Sequence, residues 1–363
     1  MSPKALYVHI PFCNSICAYC DFPKVIYRPD WSKAYLGALF DELQNRAREA
    51  SFETIYVGGG TPSALSSEEL SRLLEQLAPK LEEGGEFTVE ANPESLAPEK
   101  VALLSAHKVN RVSLGVESSS PRLLSLMGRK HDFEKVKETI ALLRAAGISN
   151  INADLIYALP GETMEELEED LERFLELGIP HISAYTLILE DCTLFKKQGF
   201  SETDQDTQAA MYELVLAKLR KAGYQRYEVS NFALPGHQSR HNLVYWHDEE
   251  YIGVGLGAAG YYDGIRYTNT RSLTKYLKGG DPTNEKEIIT RESDLSYFLL
   301  CNLRLERGFA KEDFLRKFGK PFDEVFPSAG GLVRRGWLNS DEKRVACTDQ
   351  GLLVLDRVLL ELA

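Results

Sequence analysis

Six short segments rich in β-branched and aromatic residues alternate with amphipathic segments over the first two thirds of the chain, and this alternation restricts the possible folds more than any other feature. Each predicted strand is followed by a predicted helix whose apolar residues return at intervals of three and four. The predicted strands are ALYVHI, FETIYVGG, EFTVEAN, RVSLGVE, NINADLIYAL and HISAYTLILE. The predicted helices cover residues 30–50, 66–81, 97–107, 132–147, 163–178 and 206–223.

The predicted strands are mostly apolar along their whole length, which is typical of a parallel sheet covered by helices. We therefore predict an α/β fold built on a partial (β/α)6 barrel. A doubly wound sheet is disfavoured because no GxGxxG sequence follows the first strand. In barrels of this type the loops after the strands carry the chemistry, so the residues that follow each strand are predicted to meet at one rim.

The alternation of predicted strands and helices ends after about residue 224, where an aromatic and glycine-rich segment begins. From about residue 290 the pattern is helical, and GWLNSDEKRVACTDQG then predicts a hairpin. We predict two domains, a barrel core over 1–235 and a smaller C-terminal α+β domain over 236–363 with helices and a winged-helix-like hairpin. DNA binding by this wing is disfavoured because no basic stripe accompanies it.

The charge balance of the chain limits its partners. Asp and Glu number 54 against 42 Lys and Arg, so the formal net charge is -12 and non-specific attraction to nucleic acid is disfavoured. No apolar stretch reaches the ~20 residues of a membrane span. An apolar signal-peptide region of ~7 to 15 residues has no room before Cys13, so we expect a cytoplasmic protein.

Three cysteines, Cys13, Cys17 and Cys20, fall within eight positions of the loop after the first predicted strand. Cytosolic thiols rarely form structural disulfides, so the spacing CxxxCxxC is compatible with a partial zinc site, a redox pair with a spare thiol, or three ligands of an iron–sulfur cluster. Zinc is the weaker choice because no second CxxC-like pair is present. Three thiolates in one loop can bind three irons of a cubane cluster and leave the fourth iron open to a small molecule.

This cysteine spacing resembles that of the radical S-adenosylmethionine family, and further motifs carry the resemblance along nearly the whole chain. Within that family the chain is most similar to the branch of oxygen-independent coproporphyrinogen dehydrogenases and their haem-chaperone relatives. The shared motifs are YVHIPFC, GGGTPS, VEANPE, RVSLGVES, MGRKH, DLIYALPGET, YEVSNFA and HNLVYW. The resemblance implies a 4Fe-4S cluster held by the three cysteines and S-adenosylmethionine as cosubstrate.

The residues themselves also indicate a binding site at the rim. The glycines of VGGGTPS let the backbone approach a ligand closely, and a carboxylate that emerges from an apolar strand needs a partner. By resemblance, one S-adenosylmethionine is expected to contact Tyr7, Gly59 and Glu90. A second is expected to contact Tyr19, Gly60, Thr61, Arg129 and Asp154. Glu117 belongs to the same set but departs from the family, which usually has Gln there, and a carboxylate cannot donate the amide hydrogen bonds.

Two features separate the chaperone branch from the dehydrogenase branch. The dehydrogenases continue the motif as CxxxCxxCxC and carry an N-terminal extension, whereas here Asp21 and Phe22 follow Cys20 and twelve residues precede Cys13. The segment HNLVYW matches the HNxxYW motif of the chaperone branch. A neutral imidazole can bind haem iron and aromatic rings can stack on the macrocycle, so this motif predicts a haem site, with His237 and His247 as rival ligands. Its residues are His241, Asn242, Tyr245 and Trp246.

The sequence thus predicts a haem chaperone of porphyrin metabolism that delivers haem to acceptor haem proteins, with respiratory enzymes at the membrane as one class of acceptor. The alternative is a coproporphyrinogen III dehydrogenase that abstracts hydrogen from propionate side chains. An RNA-modifying radical enzyme is disfavoured by the acidic composition. Catalysis and the formation of a homodimer are left open by the sequence.

Overall fold

The computed structural model describes residues 3–362, and its strands lie mainly in the first 290 residues. The strands of the first half are β1 Ala5–Ile10, β2 Phe12–Cys13, β3 Val25–Ile26, β4 Phe52–Gly59, β5 Leu81–Ala91, β6 Arg111–Glu117, β7 Asn150–Tyr157 and β8 His181–Thr186. Those of the second half are β9 Gln225–Arg226, β10 Asn231–Ala233, β11 Tyr251–Val254, β12 Ala259–Tyr262, β13 Ile265–Asn269, β14 Thr283–Ile288, β15 Phe309–Ala310, β16 Leu338–Ser340 and β17 Arg344–Cys347.

The α-helices alternate with the strands until about residue 221 and dominate after residue 290. The first group comprises α1 Pro29–Ala47, α2 Ser67–Leu77, α3 Pro98–Ala106, α4 Pro121–Met127, α5 Phe133–Ala145, α6 Met164–Glu176, α7 Leu194–Lys197 and α8 Gln205–Lys221. The second group comprises α9 Arg240–Trp246, α10 Leu273–Tyr276, α11 Arg291–Asn302, α12 Lys311–Phe318, α13 Phe322–Val325, α14 Ala329–Arg334, α15 Asp349–Leu353 and α16 Leu355–Leu362.

The central sheet contains the six predicted strands side by side in the order β1, β4, β5, β6, β7, β8, and every neighbouring pair is parallel. Their residues are largely buried because helices cover the outer face, as the apolar sequences predict. The predicted α/β fold with a partial (β/α)6 barrel is therefore confirmed. All six carboxyl ends lie at one rim, where the site described below is found.

Additional strands widen the sheet at both edges. Beyond β8, the short strands β10 and β9 pair antiparallel. Beyond β1, β11 pairs in parallel and β12, β13 and β14 follow antiparallel, which gives a sheet of twelve strands. The sheet thus continues past residue 235. The domain division at 235/236 remains a prediction, and these hydrogen bonds favour a boundary after β14.

Several helix ends follow the signals in the sequence. Ser66 and Glu69 form a capping box at the start of α2, and Gly147, Gly178 and Gly223 adopt positive φ just after α5, α6 and α8. Helix α4 was not predicted, because its seven residues give too short a periodic pattern. It ends at Gly128 with φ 78°, which turns the chain so that the next residue points into the rim.

The C-terminal part has its own apolar core, formed by side chains of α11 to α16 and the small sheet β15, β17, β16. Strands β16 and β17 form the predicted antiparallel hairpin. A cluster of phenylalanines that includes Phe298, Phe309, Phe314 and Phe322 fills this core with edge-to-face contacts. Within residues 3–362, none of the helices is both long and apolar enough to cross a membrane.

Candidate functional site at the barrel rim

A cavity of about 400 Å³ opens at the carboxyl ends of the parallel strands. Its wall combines the loop after β1, the glycine loop after β4 and polar side chains from β5 to β8. Most of the predicted cofactor residues line this one cavity. They are Cys13, Cys17, Tyr19, Cys20, Gly59, Gly60, Thr61, Glu90, Glu117, Arg129 and Asp154, together with Asn242 from the predicted haem motif.

Cys13 ends the short strand β2, Cys17 and Cys20 lie on the loop that follows it, and all three line the cavity. Burial raises the pKa of Cys13 to about 11, although the Thr61 hydroxyl 3.7 Å from its Sγ opposes this shift. Among residues 3–362, no three His, Cys, Asp or Glu side chains converge on a point where a single metal ion could sit.

The glycine loop after β4 packs against the cysteine loop and leaves no room for side chains. A Cβ on Gly59, which has φ 111°, would lie 2.4 Å from the His9 ring, and one on Gly60 would lie 2.7 Å from the Pro11 backbone. His9 cannot move aside easily, because its Nε2 is 2.8 Å from the Pro23 carbonyl oxygen and its Nδ1 is 3.0 Å from the Tyr7 hydroxyl. The glycines therefore serve first to join the two loops of the site.

Glu90 is the carboxylate next to the glycine loop. Its Oε1 accepts a hydrogen bond of 2.7 Å from the Tyr56 hydroxyl and its Oε2 accepts one of 3.0 Å from the Gly59 N–H. Burial raises the pKa of Glu90 to about 7, and the nearby Asp154 adds to the increase. A cationic ligand would favour the ionised form of this carboxylate.

Glu117 ends β6 in a left-handed backbone conformation with φ 68°, which is uncommon for a residue with a side chain. Its Oε1 accepts a hydrogen bond of 2.9 Å from the Tyr19 hydroxyl and lies 3.8 Å from an Arg129 nitrogen. Arg129 also approaches the Cys17 Sγ at 3.5 Å. A chain of contacts thus joins the end of β6 to the cysteine loop. It places the Arg129 guanidinium beside Cys17, whose thiolate a cluster would require.

The floor of the cavity contains polar residues that the sequence reasoning did not identify. Asn92 links two parts of the rim, since it donates to the Thr61 hydroxyl at 3.4 Å and accepts from Arg129 at 3.0 Å. Arg111 is buried below the carboxylates, and its Nε has no hydrogen-bond partner in the part of the chain that the structure describes. Asn92 follows a strand end and could have been found from its position, whereas Arg111 begins a strand and carried no such signal.

Asp154 also lines the cavity. It accepts a hydrogen bond of 2.8 Å from the Asn152 amide and one of 3.4 Å from the Ser113 hydroxyl. Burial raises the pKa of Asp154, and the charge of Arg111 opposes the increase. The predicted contact Tyr7 does not line the cavity, because its hydroxyl is bonded to His9 behind the glycine loop.

The predicted haem motif lies on α9, and its histidine points into the protein. His241 is buried with Nδ1 2.8 Å from the Thr54 hydroxyl and Nε2 2.7 Å from the Tyr245 hydroxyl, and its ring stacks on Tyr56. Burial also lowers the pKa of His241 to about 3. Neither ring nitrogen is free in this arrangement, so the geometry favours a packing role, and ligation of haem by His241 stays a prediction.

The other residues of the motif separate in space. Asn242 faces the barrel cavity, Tyr245 packs edge-on against Tyr251 with ring centres 4.5 Å apart, and the Trp246 ring lies 5.8 Å from the Arg304 guanidinium. His241 and Tyr245 are therefore in direct contact through their hydrogen bond, whereas the Trp246 ring contacts the Arg304 guanidinium instead.

A parallel half-barrel with three cysteines on the loop after its first strand defines the class of radical S-adenosylmethionine proteins. The model of the Radical SAM superfamily matches residues 7–174, and the model of the HemN C-terminal domain matches residues 289–354. The chain also superimposes on coproporphyrinogen III oxidase, HemN, of Escherichia coli with a TM-score of 0.86. That match covers 99% of this chain and 90% of the other at 23% identity, and it shows the fold.

Curated relatives extend the similarity over the full length. The heme chaperone HemW of Lactococcus lactis is 43% identical, covering 96% of this chain and 94% of that protein. The heme chaperone HemW of Bacillus subtilis is 37% identical, covering 98% of each, and that of Escherichia coli is 32% identical, covering 99% and 98%. The chain belongs to the HemW family of radical SAM proteins. Membership of the superfamily implies an iron–sulfur cluster and S-adenosylmethionine as cofactors.

Glu117 is expected to make the unfolding free energy of the protein depend on pH, and a substitution at this position tests this. Burial, aided by Asp154 and opposed by Arg129, raises its pKa from 4.5 to about 7. Between these two pH values the folded state binds more protons than the unfolded state, so the unfolding free energy falls as the pH rises. We expect Glu117→Gln to remove this loss and to be more stable than the wild type at pH 8 by on the order of 1 to 3 kcal/mol.

Urea unfolding at pH 5 and pH 8 measures this effect. The control is Glu83→Gln, at an exposed position away from the cavity, which should follow the wild-type profile. Equal pH profiles for Glu117→Gln and the wild type would show that Glu117 is ionised without cost in the folded protein.

Proposed function

We propose that the chain is a haem chaperone, which binds haem and transfers it to acceptor haem proteins on a scaffold that holds a 4Fe-4S cluster and S-adenosylmethionine. The observation that carries this proposal is the similarity over nearly the full length, at 32 to 43% identity, to three proteins named heme chaperone HemW. Relatives of this similarity and coverage include both the barrel and the C-terminal part.

The rim cavity supports the cofactor part of the proposal. Cys13, Cys17 and Cys20 supply three thiolates, and the cluster when bound offers an open iron that can chelate the amine and carboxylate of S-adenosylmethionine. Arg129 lies beside the Cys17 sulfur, where its charge would stabilise thiolates.

The carboxylates of the cavity suit the same cosubstrate. Glu90 is fixed by Tyr56 and by the Gly59 N–H, so its position does not depend on a ligand. An amino group bound there would favour the ionised form of Glu90 and offset the cost of burying its charge. Asp154 offers a second buried acceptor on the cavity floor. With Glu117 in place of Gln, we propose that the cavity holds one S-adenosylmethionine more readily than two.

Delivery to acceptors follows from the same family membership. Acceptor haem proteins are the proposed partners, and those of the respiratory chain would require docking at a membrane surface. Because the chain carries a net charge of -12, such docking would depend on a protein partner or a local patch rather than on anionic lipid. Formation of a homodimer remains a prediction of the sequence.

The proposal is tested by haem transfer. Anaerobically reconstituted protein is loaded with haem and mixed with an apo form of a haem-accepting protein, and the acceptor's Soret band is followed with time. We expect haem to bind with at least micromolar affinity, about -8 kcal/mol, and to move to the acceptor faster than free haem does at the same concentration.

A parallel reaction tests the alternative activity. The same reconstituted protein is incubated with coproporphyrinogen III, S-adenosylmethionine and a reductant under anaerobic conditions. The expected result is no vinyl product, in agreement with Asp21 and Phe22 standing where the dehydrogenases continue their cysteine motif. Formation of protoporphyrinogen, with no transfer of haem, would replace the chaperone by a decarboxylating enzyme.

A further inference from the structure

Arg111 is a buried guanidinium at the floor of the barrel cavity, and no acidic side chain pairs with it. It lines the cavity although only 2% of the residue is exposed. Its Nε has no hydrogen-bond partner, and the guanidinium takes part in no ion pair among residues 3–362. Because a charge removed from water without a partner is costly, we expect such an arginine to serve a ligand.

The geometry of β6 explains why Arg111 faces the cavity. Alternate residues of a strand lie on opposite faces of its sheet. Arg111, Ser113 and Gly115 line the cavity, whereas Val112 and Leu114 between them belong to the apolar core. The pairing of β6 with the strands on both sides fixes this register. The fold therefore holds the guanidinium in the cavity without the help of an ion pair.

The polar side chains next to Arg111 are bonded to one another. Asn152 donates to the Ser113 hydroxyl at 2.7 Å and to Asp154 at 2.8 Å. The Asn152 oxygen accepts a hydrogen bond of 3.1 Å from the Ser183 hydroxyl. All four residues line the cavity with Arg111, which takes no part in their network. The charge of Arg111 is therefore available to an anion from outside the protein.

The carboxylates of the cavity neutralise this charge only in part. Burial raises the pKa of Glu90 to about 7 and also raises the pKa of Asp154. The charge of Arg111 opposes both increases, but neither carboxylate forms an ion pair with it. In contrast, Arg129 has the Glu117 carboxylate at 3.8 Å. Since Glu90 is partly protonated at neutral pH, a further anion at Arg111 would be stabilised.

Arg111 and the cysteines lie at opposite ends of the cavity. Arg111 begins β6, whereas Glu117 ends it near Arg129, which approaches Cys17. The strand from Arg111 to Glu117 spans ~20 Å at ~3.3 Å per residue. A carboxylate that chelates an iron of the cluster is therefore at the other end of the cavity from the start of β6. A different carboxylate is required at the floor.

Asn242 connects this floor with the start of α9. It follows His241 in the predicted haem motif and lines the cavity with Arg111. Its side-chain amide makes no hydrogen bond within residues 3–362, so it can donate one to a ligand. The cavity volume of about 400 Å³ is near the lower end of the ~300 to 1,000 Å³ of small-molecule sites. Beside S-adenosylmethionine, it has room for a side chain of a second ligand but not for a macrocycle.

We propose that the cavity floor is a carboxylate-binding subsite, in which the Arg111 guanidinium binds the anion and the Asn242 amide donates a second hydrogen bond. The inference rests on the proposed haem-chaperone function and deepens it, because haem carries propionate carboxylates. A haem bound at the start of α9 would extend one propionate past Asn242 to Arg111. The amino-acid carboxylate of S-adenosylmethionine offers the same chemistry, and the experiment distinguishes the two sources.

Titrations of the reconstituted full-length protein compare haem with haem dimethyl ester, in which the propionates are esterified. Arg111→Met is expected to weaken haem affinity about tenfold or more, because a hydrogen bond between charged groups is lost. The affinity for the dimethyl ester should agree within about twofold between the variant and the wild type, since that ligand offers Arg111 no carboxylate. The Soret band of bound haem should keep its position, because the ligand of the iron is unchanged.

Isothermal titration with S-adenosylmethionine tests the other source on the same two proteins. With a propionate at Arg111, the affinity for S-adenosylmethionine should agree within about twofold between Arg111→Met and the wild type. A loss of about tenfold for S-adenosylmethionine, with unchanged haem affinity, would support the subsite and assign it to the amino-acid carboxylate.

Unfolding in urea separates ligand binding from a structural role of Arg111. In the ligand-free protein, Arg111→Met should have a midpoint equal to or above that of the wild type, because it removes a buried charge without a partner. Haem should raise the midpoint of the wild type more than that of the variant. Arg226→Met is the control, since Arg226 is also buried but pairs with Glu306 and Asp349. This control should lower the midpoint and leave haem affinity unchanged.

The outcomes separate the inference from the proposed function. If the wild type binds haem, and Arg111→Met binds haem and S-adenosylmethionine equally well, the subsite is wrong and the chaperone function stands. Equal losses of affinity for haem and its dimethyl ester would also overturn the subsite, as would a lower urea midpoint of ligand-free Arg111→Met. A wild type that binds no haem would refute the chaperone function, and the titration with S-adenosylmethionine would then decide whether Arg111 binds a carboxylate.

Discussion

Cys17→Ala is expected to abolish the iron–sulfur cluster. After anaerobic reconstitution the variant should contain iron and sulfide near background and should lack the broad visible absorbance of the wild type. The physical reason is that the loop after β1 supplies only three thiols, and two thiolates cannot hold three corners of a cubane. Loss of the cluster would also remove the open iron at which S-adenosylmethionine is proposed to bind.

The fold should survive this substitution, because Cys17 is only half-buried and lies on a loop. Thermal unfolding of the cluster-free forms of Cys17→Ala and the wild type should therefore agree closely. Cys301→Ala is the control, since that half-buried cysteine is on α11 in the C-terminal part and should leave the iron content unchanged. A full complement of iron in Cys17→Ala, or zinc in place of iron in the wild type, would contradict the assignment.

Gly59→Ala is expected to have the largest effect on stability among substitutions at the rim. The new methyl group would lie 2.4 to 2.7 Å from three atoms of the His9 ring, at a backbone φ of 111° that alanine rarely adopts. Overpacking and backbone strain each cost ~1 to 3 kcal/mol, so we expect a loss of about 3 kcal/mol or more in unfolding free energy. Any relaxation that relieves the clash would move the glycine loop away from the cysteine loop and weaken S-adenosylmethionine binding.

Gly84→Ala provides the matched control. Gly84 also has a positive φ, of 70°, but a Cβ there would meet no atom within 4 Å. The loss of unfolding free energy in Gly84→Ala should be limited to the strain of the backbone, about 1 kcal/mol. Urea unfolding measures both variants, and isothermal titration measures binding of S-adenosylmethionine. Equal losses for the two glycines would mean that the contact with His9 does not constrain the loop.

The sequence was sufficient to predict the half-barrel and the placement of its main site. The strand β4, for example, matches the predicted segment FETIYVGG residue for residue, because a run of buried β-branched side chains between turn signals has few alternatives. Parallel strands place their carboxyl ends at one rim, so residues as distant as Cys13 and Asp154 could be predicted to meet. Short elements such as α4 escaped prediction, because seven residues carry little periodic signal.

The haem motif shows where reasoning from sequence reached its limit. The segment HNLVYW identified a region, but a list of residue types does not say which side chain faces inward. The packing of α9 against β4 turns His241 toward Thr54, whereas His247, just after α9, is exposed.

The sequence by itself determined the order of strands and helices, the three-thiol loop and the rim at which it lies, because local periodicity and the geometry of parallel strands depend on residues close in the chain. The tertiary structure decided which polar side chains are buried in pairs and which remain exposed. Arg226 is buried and paired with Glu306 and Asp349, whereas Arg307 is exposed. That distinction depends on contacts between segments distant in sequence. The hydrogen bond between Thr54 and the Nδ1 of His241, for example, leaves this nitrogen unavailable to a ligand.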